Sequence, residues 1–483
     1  MGKLWKKLLF VAPLVLGLMV AGCTEDSEDE DTTTGPDTDP YPTMVELYDS
    51  DINEGETLTL DADSTYVLME FVFVEDGATL NIPAGTVIKG APGGGLNASA
   101  LIICRGATIN ATGTADNPII MTSVSDDVDI SDDLGPNARG LWGGLIVLGK
   151  SITQKADGEG QIEGIGTDPR GAYGGSDATD NSGTIQYVSI RYGGSNIGEG
   201  NEINGLTMGA VGSGTTIDHV EVYNNADDGF EWFGGTVNTK NLIAVGCKDD
   251  SYDWDEGFRG KGQYWVVVQG DDAGDRAAEM DGCASDNRGD TENFSQPTIY
   301  NATFIGCGSG SGIPGNMIFK FREETGGYYY NSIFTDFAGD IKYDANNAVS
   351  LVGVINFDDE KGTDGNLVSD HVVSGDLELS NNLFYDFAFG ASTPEMLVKY
   401  SSFADADKAP VLDDVSSKNT FGDDAGVGRD GDGNVVLLPA AGSLALTASR
   451  KTPSDSFFDN AAYIGAFDAG SDWTSGWTFF SQL

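Results

Sequence analysis

The sequence predicts an all-β solenoid. From residue 56 onward, short β-rich runs alternate with turns of Gly, Asn and Asp, and no stretch shows sustained helical periodicity. Segments also return along the chain: GATLN at 77–81 reappears as GATIN at 106–110, and NSIFTDFA at 331–338 reappears as NLFYDFA at 382–388. Repeats spaced by about 20 to 30 residues, made irregular by intervening loops, are typical of coils that stack on one another.

Residues 1–22 are predicted to be a bacterial lipoprotein signal peptide. Three lysines precede an apolar run from Leu8 to Val20, which is too short for a permanent membrane helix and is typical of a secretory signal. The run ends in VAGC, which resembles the lipobox of bacterial lipoproteins. This resemblance implies that Cys23 is acylated and anchors the protein in outer-membrane lipid. The alternative is an ordinary secretory signal with a coincidental cysteine.

Residues 23–50 are predicted to be a disordered tether. The stretch TEDSEDEDTTTGPDTDPYPT is acidic, carries Pro and Thr, and has no apolar periodicity. An acidic run directly after the lipidated cysteine is similar to the surface-export signals of some Gram-negative lipoproteins. The resemblance implies that the folded part faces the cell exterior.

Composition and charge narrow the classes of function. With 40% hydrophobic residues in 483, the chain is long enough to build a sizeable core. The 76 Asp and Glu residues outnumber the 26 Lys and Arg residues, and the net charge of -50 repels nucleic acid. Such charge indicates either a solvated acidic surface or cation binding. We expect a monomer with no nucleic-acid partner.

Four further cysteines leave the disulfide state open. Cys104, Cys247, Cys283 and Cys307 are an even number in an oxidising compartment, so one or two disulfides are compatible with the sequence. Their scattered positions and the absence of C-x-x-C favour small buried thiols instead.

The clearest register is a 22-residue period over coils 216–237, 238–259 and 260–281. It aligns apolar positions, first Val220, Leu242 and Tyr264, then Val222, Ala244 and Val266. The same period aligns nine acidic residues in three columns. The columns are Asp227, Asp249 and Asp271; Asp228, Asp250 and Asp272; and Glu231, Asp253 and Asp275.

A coil of this length with Gly-rich corners resembles the right-handed parallel β-helix of the pectate-lyase-like superfamily. More closely, DNPIIMTS, LWGGLIVLG, NGLTMGAVGSGTTIDHV and DDGFEWFGGTVNTKNLIAVGCKDDSYDWDEGF resemble a group of β-helix surface lipoproteins. Many members of that group have no assigned activity. The resemblance therefore implies a fold and leaves the function to be argued from the site.

Stacked carboxylates need an explanation. Two like charges about 4.8 Å apart at an effective dielectric of 20 repel by roughly 3.5 kcal/mol. The columns must therefore spread into water, take up protons or bind a cation, and Ca²⁺ suits a set of carboxylate oxygens. The alternatives are that these side chains cap turns by accepting backbone N–H groups, or that some of them are catalytic.

Aromatic and basic residues give candidate ligand contacts. Phe230 aligns with Tyr252, and Trp232 with Trp254, so the rings form either an outward strip that stacks on sugars or, as we favour, part of the core. Arg259 and Lys261 follow the acidic coil directly. They are either ligand contacts, including the base of a polysaccharide lyase, or local counterions, which we favour.

These observations predict four segments and one preferred function. Residues 1–22 are the signal, 23–50 the tether, 51–345 the β-helix, and 346–483 its continuation with loops and a C-terminal cap, because a solenoid must cover its open ends. The preferred function is Ca²⁺-assisted binding of a carbohydrate or matrix ligand without catalysis. A Ca²⁺-dependent polysaccharide lyase or glycoside hydrolase, with catalytic residues unassigned, and a structural envelope or adhesion spacer are the alternatives.

Overall fold

The computed structural model describes residues 41, 43–198, 201–285, 287, 292–311, 313, 316–343, 349–358, 367–387, 398–401 and 405–483. The predicted signal peptide, Cys23 and most of the predicted tether lie outside these residues. In the described part, no helix has both the length and the apolar character needed to cross a membrane.

Two large parallel sheets form the coils. One has ten strands that pair in sequence order. They are Phe71–Val74, Ala100–Ile103, Leu145–Leu148, Leu206–Gly209, Phe230–Phe233, Tyr252–Asp255, Arg276–Asp281, Met317–Arg322, Ile355–Asp358 and Val398–Ser401.

The other large sheet has nineteen strands. They are Val45–Leu47, Thr57–Thr59, Thr65–Leu68, Thr79–Pro83, Val87–Gly90, Thr108–Thr112, Ile119–Ser123, Gly183–Arg191, Thr216–Tyr223, Asn238–Val245, Lys261–Gln263, Val266–Val268, Thr298–Tyr300, Thr303–Ile305, Gly327–Tyr330, Ile333–Thr335, Leu377–Ser380, Leu383–Tyr385 and Thr420–Phe421.

A left-handed residue bends the long strands of the nineteen-stranded sheet. Tyr187, His219 and Asn241 have φ of 50°, 55° and 52°, and each lies within a strand of eight or nine residues. The bend divides this sheet into two faces, and the ten-stranded sheet supplies the third. Parallel strands wound in this way confirm the predicted β-helix.

Smaller elements lie outside the coils. The helices are α1 (Val368–Ser374), α2 (Asp405–Lys418) and α3 (Leu444–Thr447), with 3-10 turns at Asp49–Asp51, Gly95–Asn97, Pro169–Gly171 and Phe480–Gln482. The antiparallel pairs are Glu159–Gln161 with Ala172–Gly174, Asn196–Gly198 with Asn201–Glu202, Asp340–Tyr343 with Val349–Val352, and Gly428–Arg429 with Val435–Val436.

The folded region begins before the predicted boundary at residue 51 and continues past residue 345, in line with the predicted continuation of the coils. Val45–Leu47, placed in the tether by the sequence, pairs with Thr65–Leu68 and so belongs to the first coil. Parallel coils continue past residue 345 as far as Thr420–Phe421. There α1 and α2 pack against each other and against Leu377–Ser380, and both helices add valines to the core.

The C-terminal residues form a strap along the coils. Residues 449–480, the C-terminal strap, run back along the flank of the solenoid toward earlier coils. Asn331 and then Asn301 donate side-chain N–H groups to carbonyls of the strap over 2.9 Å. Near its end, the buried Glu221 accepts the backbone N–H of Phe479 over 2.7 Å. Non-repeating chain thus lies against the side of the coils.

The 22-residue register holds for two coils and fails for the third. Val220 pairs with Leu242, and Val222 with Ala244, as predicted. Ala244 then pairs with Val267 and not with Val266, because one extra residue lies between Asp255 and Lys261 and shifts the pairing of both following strands to 23 residues. The four described cysteines Cys104, Cys247, Cys283 and Cys307 are buried and free, which confirms the thiol alternative for this part of the chain.

Candidate functional site

The aromatic column points into the core. Trp232, Tyr252 and Trp254 are each 0% exposed. The rings of Phe230 and Tyr252 stack with centroids 5.4 Å apart, and Trp232 pairs in register with Trp254. The ligand-binding role assigned to these rings is therefore wrong, and the core alternative is confirmed. Strand alternation explains the result, because each ring neighbours a residue that faces outward.

The outward positions of the same strands carry carboxylates. Glu231 pairs in register with Asp253, as predicted. Asp253 then pairs with Glu279, 26 residues on, and not with Asp275. The third coil is longer because extra residues lie in the turn before Arg276–Asp281, and the strand pairing is unaffected by that turn.

Asp228 and Asp250 cap the turns that lead into these strands. The Asp228 carboxylate accepts the backbone N–H of Asp250 over 2.8 Å. The Asp250 carboxylate in turn accepts the backbone N–H of Arg276 over 2.7 Å. Both acids are buried, so the capping alternative describes their contacts in the structure.

Three more acids lie beside these caps. Asp227 and Asp275 are half-buried and Asp249 is exposed. In three groups of acids, one oxygen of each member lies within 4.8 Å of the others: Asp227, Asp228 and Asp249; Asp228, Glu231 and Asp253; and Asp249, Asp250 and Asp275. We call the set the acidic band, and it comprises Asp227, Asp228, Glu231, Asp249, Asp250, Asp253, Asp275 and Glu279.

Asp271 and Asp272 do not belong to the acidic band. Both lie before the strand Arg276–Asp281, and both are exposed. Asp272 forms an ion pair with Arg139 over 2.6 Å, which holds the pKa of that carboxyl below its ordinary value. Their predicted place in the columns is wrong, because a constant 22-residue period does not continue past residue 259.

Arg259 and Lys261 also lie apart from the acids they were predicted to accompany. Lys261 starts a strand of the nineteen-stranded sheet and forms an ion pair with Asp455 of the C-terminal strap. Arg259 donates to the carbonyl of Glu292 over 2.7 Å. Lys261 is therefore a local counterion, as the favoured alternative has it.

The cations of the site come from residues that the sequence argument missed. Lys320 Nζ lies 2.9 Å from Glu279, and Arg322 Nε lies 2.8 Å from the same carboxylate. Arg276 pairs with Asp250 over 3.2 Å and with Asp275 over 2.8 Å. A signal existed in MIFKFR, whose alternation places a lysine and an arginine on one face of a strand.

Burial perturbs the acids strongly. Burial first, and then neighbouring carboxylates, raise the pKa of Asp228, Glu231 and Asp253 well above their ordinary values. The same two causes raise the pKa of Asp227 to about 7. Burial opposes ionisation of Glu279 as well, but the cations beside it outweigh burial and hold its pKa below the usual range.

Residues 149–182 form a covering insertion between two coils. Its Ile162, Ile165 and Tyr173 pack on outward apolar residues of the ten-stranded sheet, including Ile102 and Ile146. The insertion also lines a cavity of 680 Å³, and Arg105, Lys150 and Arg170 are among the residues of its wall. Nothing in the sequence pattern indicated this packing, because the insertion belongs to no repeat.

One residue of the covering insertion reaches the acidic band. Glu163 lies beside Asn204 and Glu231, and burial raises its pKa to about 7. Asn204 donates its side-chain N–H to Glu231. Glu163 and Asn204 were both missed by the sequence argument, since neither lies in the 22-residue register.

Oxygen atoms dominate the acidic band, which contains no Cys or His. This is the ligand chemistry that Ca²⁺ prefers, with six to eight oxygens in flexible geometry. A cavity of 450 Å³ opens beside it, lined by Gly194, Asn196, Glu202, Ala226, Asp227, Lys248 and Asp249. The arrangement can therefore place a polar ligand next to a bound cation.

Comparison with known proteins agrees with this geometry. The parallel coils define the class as a β-helix solenoid, and residues 51–405 match the family model of the pectate-lyase-like beta helix domain. The chain belongs to that family. Membership supports a carbohydrate-related protein of this fold. Searches of curated proteins and of solved structures each found no match.

Proposed function

We propose that this protein binds a carbohydrate or matrix ligand through Ca²⁺ held in the acidic band, without catalysis. The observation that carries the proposal is the group of Asp227, Asp228 and Asp249, whose oxygens converge within 4.8 Å. Two of these acids, Asp227 and Asp249, also line the 450 Å³ cavity. A cation here would contact a ligand directly.

Electrostatics supports a cation at this place. Each raised pKa reports a carboxylate whose charge is unfavourable where it lies. Protons relieve that repulsion at Asp227 up to about pH 7, whereas a divalent cation also relieves it at higher pH. The Glu279 side of the band already has Arg276, Lys320 and Arg322 as counterions. The Asp227 side is therefore the better place for a metal.

The cavity beside the cation suits a polar ligand. Asn196, Glu202 and Lys248 offer donors and acceptors in its wall. Hydroxyl groups of a sugar bind in this way, with a few placed polar groups fixing orientation. The buried Trp232 and Trp254 take no part, so recognition here depends on hydrogen bonds and cation coordination and not on ring stacking by those residues.

Lipid anchoring and surface exposure belong to the same proposal. The lipobox-like VAGC and the acidic stretch after Cys23 support an acylated, outward-facing protein in the outer membrane. Palmitate labelling of intact cells, compared between wild type and Cys23→Ser, tests the anchor. Access of an added protease to the folded part tests its orientation.

Replacing Asp227 and Asp249 together by Asn is expected to weaken calcium binding at the group of Asp227, Asp228 and Asp249. These two acids face the cavity, and Asp249 is exposed, so the double variant should fold with the capping contacts of Asp228 and Asp250 intact. Isothermal calorimetry should give calcium heat for the wild type and at least about tenfold weaker binding for the variant, which corresponds to about 1.4 kcal/mol. A glycan array in calcium should lose the same signals.

Asp271→Asn is the matched control. It removes one charge from the same short region, but Asp271 lies outside the three acid groups. Its calcium heat should equal that of the wild type. Equal calcium binding by wild type and the Asp227→Asn/Asp249→Asn variant would contradict the proposal, and no calcium binding by either would favour the spacer alternative.

A calcium-dependent polysaccharide lyase is the second candidate function. The observation that favours it is the contact of Arg276, Lys320 and Arg322 with Glu279, which places basic side chains beside carboxylates on one face. A lyase needs a base to remove the proton next to a uronate carboxylate. However, although burial lowers the pKa of Arg322, the neighbouring carboxylates together outweigh burial and raise it above the ordinary value, so this guanidinium stays protonated and is better suited to binding than to proton abstraction.

We expect no lyase activity on polygalacturonate in calcium. The assay is the ultraviolet absorbance of the unsaturated product, followed at neutral and alkaline pH. Appearance of that product would replace the binding function by catalysis. Among the three basic residues beside Glu279, Lys320 is the one that is not an arginine. Lys320→Met would then be expected to lower the rate.

A further inference from the structure

Among the acids that contact the covering insertion, Glu256 and Glu231 differ in their surroundings. Glu256 accepts a hydrogen bond from the Tyr173 hydroxyl over 2.6 Å and forms an ion pair with Lys155 over 2.6 Å. That contact is balanced in charge. Glu163 instead meets Glu231, and in the described part of the chain neither carboxyl forms an ion pair with a lysine or an arginine.

Asn204 provides an independent sign of a missing ligand. Its side chain is 1% exposed, and its Nδ2 donates to Glu231. Its Oδ1 is buried and has no hydrogen-bond donor. A buried acceptor left unsatisfied in this way lowers stability. Because both heteroatoms belong to one small amide, the unpartnered oxygen lies in the same acidic surroundings as the bonded nitrogen.

The oxygens of these three residues suit a hard cation. Glu163 and Glu231 each offer a carboxylate, and Asn204 offers an amide oxygen. Ca²⁺ binds such mixed sets of carboxylate and amide oxygens. Asp227 lies near enough to Glu163 for each charge to affect the other, so it adds negative potential at the same place. The site thus has oxygen ligands and excess negative charge.

We propose that a divalent cation bound by Glu163, Asn204 and Glu231 holds the covering insertion on the ten-stranded sheet. The inference rests on the proposed function, because Glu231 belongs to the acidic band, and it adds a role for the cation in positioning another segment. The covering insertion also walls the 680 Å³ cavity, so the cation controls the shape of that cavity too. Without a cation, ionised Glu163 and Glu231 repel each other and the insertion opens more often.

Hydrogen exchange measured by mass spectrometry on the purified full chain tests this proposal. Backbone amides of residues 149–182 should exchange about tenfold more slowly in calcium than in EDTA, as expected when a local opening becomes less favourable by about 1.4 kcal/mol. In Glu163→Gln the new amide can donate to Glu231, so exchange should be slow in EDTA and no longer respond to calcium. Asp157→Asn, an exposed change in the same insertion, should respond to calcium as the wild type does.

A second variant keeps the test independent of that substitution. Asn204→Asp adds a carboxylate at the same place, and it should bind calcium more tightly and respond more strongly in the exchange experiment. Calcium binding in calorimetry without any change in exchange at residues 149–182 would overturn this inference and leave the proposed function standing. Absence of calcium binding would overturn both.

Discussion

Replacing Trp254 with alanine is expected to lower the free energy of unfolding by about 3–5 kcal/mol, the range for large aromatic residues in cores. The side chain is 0% exposed and stacks on Tyr329 with centroids 5.9 Å apart. Its indole N–H donates to Thr325 over 3.2 Å. Alanine would leave a cavity between coils and remove that donor. Denaturant unfolding followed by circular dichroism measures the change.

Trp254→Phe is the matched control. It keeps a ring in the stack and removes only part of the volume and the N–H group, so we expect a clearly smaller loss of stability. Glycan binding by the folded fraction should be unchanged in both variants. If the alanine variant kept normal stability but lost glycan binding, the result would support an outward aromatic strip. It would contradict the buried position of Trp254.

The sequence predicted the faces of the coils well because alternation is a local property. Glu231 lies between Phe230 and Trp232 on one strand, and alternation alone places the acid opposite to the two rings. The choice between core and surface for the rings needed the structure. Once the ten-stranded sheet is formed, the rings fill the interior and the carboxylates face away from it.

Register was predictable only as far as coil length stayed constant. Hydrogen bonds between neighbouring strands set the register, and a turn accepts extra residues at small free-energy cost. Asp275 therefore stays in the turn, where it meets Asp249, while Glu279 takes the place on the strand beside Asp253. A repeat period taken from the sequence does not indicate where a turn gains extra residues.

Contacts made by non-repeating segments were beyond prediction from the pattern. The covering insertion brings Glu163 to Glu231, and the C-terminal strap brings Phe479 to Glu221. Both contacts join residues far apart in sequence, and neither segment carries the repeat that defined the coils. The candidate site was thus half predicted: its acids came from the period, and its cations and its insertion residue came from tertiary packing.

The stability of the cation-free protein is expected to fall as the pH rises from 5 to 8. Burial raises the pKa of Asp227 and Asp281 from 3.8, and that of Glu163 from 4.5, to about 7 in each case. A carboxyl whose pKa is higher in the folded state binds more protons there. Its stabilising contribution is present below the unfolded pKa and is lost as the pH rises through about 7. In EDTA the melting temperature should drop by about 5 °C or more over this range.

Calcium should reverse that loss chiefly at the alkaline end of the range. At pH 5 a proton occupies Asp227 and competes with the cation, whereas at pH 8 this carboxylate is free to bind it. Glu279, whose pKa is lowered, is ionised in both states across this range, and buried His371, whose pKa is also lowered, acts in the opposite direction. Differential scanning calorimetry at both pH values, with and without calcium, measures the effect. The Asp227→Asn/Asp249→Asn variant should have a flatter pH profile and a smaller calcium response. A melting temperature in EDTA that increases toward pH 8 would contradict the buried, uncompensated charge on which the cation site depends.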